Sequence, residues 1–175
     1  MTESLFFDTD CLSAFLWVRA ENILTELYRG KIKIPQQVYD ELSSPVIAHL
    51  KMRIDALINN GDAIVQSIIT DTPAHSFYVQ LTSAPNERRI IIGKGEAAAI
   101  VLASLSSGIL ASNNIKDVAP YISDLNLKHI TTGDILVKAF QQSLISEDDG
   151  NLIWSAMLAK RRKLGALSFT DYLNN

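Results

Sequence analysis

Cysteine is almost absent from this chain. Cys11 is its single thiol, so no internal disulfide can brace the fold. Long apolar runs are missing as well. The longest, such as Ile90 to Ile92 and Ala97 to Ala103, fall far short of the roughly 20 residues of a membrane-spanning helix. The start, Met1-Thr2-Glu3-Ser4, lacks the basic region and cleavage site of a signal peptide, so a cytoplasmic location with no membrane partner is expected. There is no surplus of positive charge: the net charge is −3 and the pI about 5.6. Proteins that coat nucleic acid through a broad basic face are usually basic overall, so that class is disfavoured. An enzyme that touches nucleic acid locally, through a metal and a few cations, is compatible with the balance.

No repeat, low-complexity stretch or linker interrupts the chain. Its 175 residues, 47% of them hydrophobic, suffice for one packed domain spanning 1–175. Short apolar runs alternate with helix-like segments, which predicts an α/β domain with a mainly parallel sheet. Strands are expected at Leu5 to Asp8, Lys31 to Ile34, Ala63 to Ile69, Gly108 to Ser112 and near Ile130. Helices are expected over Leu12 to Tyr28, Gln36 to Leu42, Ile47 to Ile58, Pro73 to Leu81, Gly93 to Leu105 and Ile115 to Leu125. Asp134 to Gln142 and Leu152 to Lys163 are read as the last two.

Four acidic positions fall at element ends: Asp8, Glu41, Glu96 and Asp117. In an open parallel sheet, sites assemble in the crevice at the carboxyl ends of the strands. Asp8 and the segment after Ser112 lie there, and Glu41 and Glu96 can reach it from flanking helices. Gathered carboxylates repel unless a cation neutralises them. Hard ions such as Mg²⁺ and Mn²⁺ prefer such oxygen ligands. The bland reading stands beside this one. Among 19 acidic residues, four at element ends is unremarkable, and Glu96 in a first helical turn also complements the helix dipole.

Other candidates are weaker. His49, His75 and His129 show no ligand spacing. Cys11 reads as a buried small residue, and Trp17 and Trp154 as packing residues. Gly93-Lys94-Gly95 is too short for a phosphate loop and reads as a tight helix entry, with Lys94 free to face an RNA phosphate. Arg88 and Arg89 read as a solvated loop. Lys160-Arg161-Arg162-Lys163 reads as cations closing the last helix, with a phosphate or partner patch as the sharper alternative. The amphipathic set Leu152, Ile153, Ala156 and Leu164 is either core or a partner-binding face.

Four segments in order resemble motifs of the PIN-domain family, including toxin nucleases of the VapC kind. Phe7-Asp8-Thr9-Asp10-Cys11-Leu12 looks like its opening strand motif. Ile34 to Leu42 looks like the Pro-started helix bearing the second acid, and Gly93-Lys94-Gly95-Glu96-Ala97 like the third motif. Ser112-Asn113-Asn114 stands where the family usually has Thr-x-Asp or Thr-Asp-Asp. The likeness runs from Leu5 to about Ile135, leaving C-terminal helices over 134–175.

The resemblance implies a three-layer α/β/α domain and a metal-dependent endoribonuclease using Mg²⁺ or Mn²⁺. Asp8, Glu41, Glu96 and Asp117 would be catalytic, with Asp8, Glu96 and Asn114 on the metal. Thr9, Ser112 and Asn113 would support the site, and Lys94 would touch RNA. It further implies a toxin role with a small antitoxin protein and a homodimer. Two departures stand out. Asp10 replaces the usual Asn or Ser, adding charge to the site or pointing to solvent. Asn113 and Asn114 replace the fourth acid, leaving Asp117 to supply it or to be a plain surface residue. A weak or inactive PIN module that binds RNA or a protein is the alternative.

Overall fold

The computed structural model describes residues 3–83 and 91–175. Arg88, Arg89 and Ile90 lie outside the described residues. The first strand, β1 (Leu5–Phe7), is buried on both faces, as expected of a central strand in a parallel sheet. It is followed by α1 (Thr9–Val18), α2 (Glu21–Tyr28), β2 (Ile32–Pro35) and α3 (Gln36–Leu42). A 3₁₀ turn at Pro45–Ile47 leads into α4 (Ala48–Asn59), β3 (Ala63–Gln66) and α5 (Pro73–Ser83). Then come α6 (Lys94–Leu105), β4 (Ile109–Ala111), α7 (Ile115–Asp124) and β5 (Lys128–Ile130). The chain closes with α8 (Thr132–Gln141), α9 (Glu147–Ala159) and α10 (Phe169–Leu173).

The five strands pair in parallel in the order β3-β2-β1-β4-β5. Leu5 and Phe7 face one way with Ile32, Ile34 and Ala111, packing against α1, α2, α4, α8 and α9. Phe6 and Leu110 face the other way, against α6 and α7. Two cores on two faces of one sheet make a three-layer α/β/α domain. The chain runs outward from β1 to β2 and β3, then crosses back to place β4 on the other side of β1. That reversal is a topological switch point, and it opens a crevice beyond the carboxyl ends of β1 and β4. Among the described residues no helix is long and apolar enough to cross a membrane.

Several expected boundaries move. The single helix over Leu12 to Tyr28 is two helices. Arg19 takes a left-handed backbone at φ 60°, and the Ala20 N–H donates to Phe15 O at 3.0 Å, closing α1 in a Schellman turn. No Gly or Pro marks this break, so apolar periodicity runs through it. The third strand stops at Gln66 rather than Ile69. Helix α9 starts five residues earlier than Leu152, at a capping box in which Ser146 and Asp149 exchange side-chain and backbone bonds. It ends at Ala159, so Lys160 to Lys163 form a turn after the helix rather than its last turn. It is not the last helix either: Ser168 caps α10 by accepting from the Asp171 N–H at 3.0 Å. The apolar face of α9 also differs. Leu152 is 71% exposed, while Trp154 and Met157 are fully buried.

The Trp154 indole N–H donates to Ala166 O at 3.1 Å, tying the tail to α9. Gly150 lets α10 close on the same helix: a Cβ there would lie 2.2 Å from Cδ1 of the buried Phe169 ring. Ala is the better helix former, so Gly150→Ala separates packing from propensity. The clash should win, lowering stability by about 1–3 kcal/mol, read as a lower urea midpoint. An unchanged or higher midpoint would refute this account of the packing.

Candidate metal centre

Asp8 follows β1 and caps α1, its Oδ1 accepting from the Cys11 N–H at 2.7 Å. Its own N–H donates to Ala111 O at 3.0 Å, extending the β1–β4 ladder by one rung. The carboxyl is only 2% exposed. Burial first, and then the charges of Asp10 and Glu41, push its pKa up to about 7, against bonds from Ser112 and Cys11 that pull it down. Glu96 sits in the first turn of α6. Burial first, and then the charges of Asp8 and Asp117, push it up to about 8, while a bond from Asn114 pulls it down.

Glu41 reaches the crevice from α3. Its carboxylate accepts from the Thr9 hydroxyl and, at 3.0 Å, from the Gly95 N–H. A Cβ on Gly95 would lie 2.5 Å from Thr9 Oγ1 and 2.9 Å from Glu41 Oε2. The glycine is therefore needed for the close approach of α6 to α1 and α3, more than for the helix entry itself.

A cleft of about 390 Å³ joins these groups. Asp8, Thr9, Asp10, Glu41, Glu96 and Asn114 all line it. Ser112 is buried behind Asp8, and its carbonyl meets His129 Nε2 at 2.8 Å. Burial holds the His129 pKa below its ordinary value. Asn113 and Asn114 diverge. Asn113 turns away, donating to Thr132 Oγ1 at 2.9 Å and accepting from the Thr132 N–H at 2.8 Å, so it staples the turn after β4 to the start of α8. Asn114 faces the cleft, and its amide donates to Asp117 Oδ2 at 2.6 Å as well as bonding Glu96. Asp117 thus stands behind Asn114, acting on Glu96 through its charge. Lys94 is exposed at the first residue of α6 and is not one of the residues lining the cleft.

The cleft also holds cations. Arg161, Arg162 and Lys163, from the turn after α9, line the same cleft. Arg162 Nη1 donates to Asp10 Oδ1 at 3.0 Å and to Ser13 Oγ at 3.2 Å. Asp10 therefore carries an ion pair rather than pointing to bulk solvent. The basic run was visible in the sequence, but reading it as a helix end hid its partner 152 positions away. Cys11 is fully buried, and burial pushes its thiol well above the ordinary range, so it is no nucleophile.

The donor set suits a hard divalent ion: every ionisable donor lining the cleft is a carboxylate, with no thiolate or imidazole among them. The two most perturbed carboxyls resist ionisation because they are buried among like charges, which a cation would relieve. Among the described residues, no three or more His, Cys, Asp or Glu side chains already stand close enough together to hold an ion.

The shifts fix the sign of a pH effect. A carboxyl raised in the folded state stabilises most when protonated, and that contribution is lost as pH rises through the folded value. Above pH 6.5, the ordinary value of His129, its depressed pKa no longer opposes the trend. In chelator, the melting temperature should therefore fall between pH 6.5 and about 8. Asn also caps helices well, so Asp8→Asn should flatten the fall and raise the melting temperature at pH 8 by roughly 5 °C. A wild-type melting temperature that rises over this window would contradict the assignment.

A scan of family models, curated proteins and solved structures returns no significant match to this chain.

Proposed function

We propose that the chain is a metal-dependent endoribonuclease of the PIN type. The observation that carries this reading is the convergence of Asp8, Glu41 and Glu96, from three separate elements, on one cleft at the switch point of a parallel sheet. Asp8, Glu96 and the amide oxygen of Asn114 would hold Mg²⁺ or Mn²⁺. Bound there, such an ion polarises a phosphoryl oxygen and lowers the pKa of a water.

The chain's own groups supply the rest. Asp8 and Glu96 resist ionisation while the cleft holds no cation, and a bound ion would hold both as carboxylates, so they would serve the reaction through their charge and not their protons. Glu41, tied to Thr9 and the Gly95 N–H, keeps α3, α1 and α6 at fixed separation around the reacting atoms. Asp117 acts through Asn114 and by its charge on Glu96, so its role here is positioning. Lys94 is not assigned to RNA in this reading, because the cleft's cations come from the turn after α9.

A toxin role extends the reading: a small antitoxin would block the cleft, and two copies of this chain would form a homodimer. Growth arrest on expression, relieved by a short neighbouring protein, is the outcome that supports it.

One observation favours a second reading, a PIN module that binds RNA without cutting it. Asn114 places an amide where a carboxylate would complete the charge of the site, and that amide already serves both Glu96 and Asp117. Calorimetric titration with Mn²⁺, paired with an RNA cleavage assay, separates the two. Under the nuclease reading, wild type binds and cleaves. Asp8→Asn and Glu96→Gln lose binding and cut slower by on the order of a hundredfold. Under the module reading, wild type does not cleave, and Asn114→Asp gains Mn²⁺ affinity. Cleavage undiminished in Asp8→Asn would remove the metal centre from the mechanism.

A further inference from the structure

We propose that the turn after α9 is a phosphate-binding subsite for the RNA strand, with Asp10 as the positioning residue that holds Arg162 in it. The ligand assumed is the one named by the nuclease reading above. The subsite itself rests on a separate set of residues.

The turn has a defined shape. Lys160 caps α9, and Arg161 takes a left-handed backbone at φ 59°. The Arg161 N–H donates to Leu158 O at 2.8 Å and the Arg162 N–H to Met157 O at 3.1 Å, a Schellman closure. Glycine is the usual residue at the left-handed position, because a side chain there is strained. Here the position carries an arginine, and the turn delivers three consecutive cations to the cleft.

Arg162 is anchored from behind. Its Nε donates to Lys160 O at 3.0 Å, and its Nη1 to Asp10 and Ser13. Nη2 makes no hydrogen bond among the described residues. With Nε and Nη1 engaged, the guanidinium plane is fixed, and Nη2 alone is left to donate to a phosphate oxygen from a defined position. Arg161 and Lys163 are exposed beside it, so they can meet the strand with little desolvation cost.

The same cleft is lined by Asp8, Asp10, Glu41 and Glu96. A polyanion entering a cleft of carboxylates needs countercharge, and within the cleft's lining this turn is where it comes from. The acidic residues take the reacting phosphate, and the basic turn takes a neighbouring phosphate of the same strand. This division accounts for a protein of net charge −3 holding RNA locally.

The test is the affinity of a short, labelled single-stranded RNA, followed by fluorescence anisotropy at several salt concentrations in chelator, which stops cleavage. Arg161→Gly removes the left-handed strain, so its melting temperature should hold or rise while its affinity falls several-fold. Arg161→Gln with Lys163→Gln should weaken binding about tenfold at low salt. It should also shrink the slope of log affinity against log salt by about 0.7 for each phosphate that the protein ceases to neutralise. Asp10→Asn gives the sharpest sign. It removes a negative charge from the cleft, so charge alone predicts tighter binding, whereas release of the Arg162 anchor predicts several-fold weaker binding.

Unchanged affinity and slope in the double variant, or no binding by wild type at low salt, would overturn the subsite. Equal or tighter binding by Asp10→Asn would overturn the positioning role. Cleavage by wild type in Mn²⁺ with an unaltered slope in the double variant would sink the subsite alone. Binding abolished in these variants, with no cleavage by wild type at any Mn²⁺ concentration, would sink the nuclease reading alone.

Discussion

Asp8 occupies a position where two demands meet. It ends the central strand of the sheet, and it caps the helix that follows. The cap requires its carboxyl to stay beside the Cys11 N–H, which keeps it under the sheet edge and out of water. An isolated carboxylate is costly in such a place. The fold tolerates it because the group has hydrogen bonds, because it can hold a proton near neutrality, and because it opens onto a cleft a cation can enter. The rest of the site follows from that constraint. β4 must lie alongside β1 to bring Ser112 and Asn114 near, and α6 must approach closely enough to set Glu96 on the same cleft.

The close approach depends on small side chains. Gly95 admits Thr9 and Glu41 to the surface of α6, and the alanines of that helix bury it against the sheet. Three helices are thereby locked around one patch of oxygen donors. The cleft is also asymmetric in charge. Acids come from the sheet and its adjacent helices, whereas cations come from the far C-terminal turn. The Asp10–Arg162 pair is where the two sets touch. That pair neutralises the extra acid at position 10 and fixes a cation in place, so one ion pair answers for the carboxylate and for the basic run.

Most of the architecture was legible in the sequence. Leu5 to Asp8, Lys31 to Ile34 and Gly108 to Ser112 read as strands because short apolar runs bounded by polar residues have few other uses in a chain of this kind. Helix α3 matches its predicted limits, since Pro35 precedes it and the apolar positions end at Leu42. Two of the misplaced helix ends share one cause. Helices α1 and α9 are both closed by a turn with an arginine in a left-handed conformation, and a non-glycine residue there leaves no composition signal. Helix α10 is short, and its Ser168 cap is readable only once a helix is suspected.

The sequence by itself determined the α/β class, the strand positions and the residue types able to serve oxygen-ligand chemistry. Those depend on local periodicity and side-chain identity, which are written along the chain. Only the tertiary structure decided which polar groups meet. It turned Asn113 toward Thr132 and Asn114 toward Asp117, although the two are adjacent and chemically identical. It brought Arg162 to Asp10 across the length of the domain. Burial and like-charge proximity, which shift Asp8 and Glu96 toward neutral pH, are properties of three-dimensional surroundings, and no spacing along a chain encodes them.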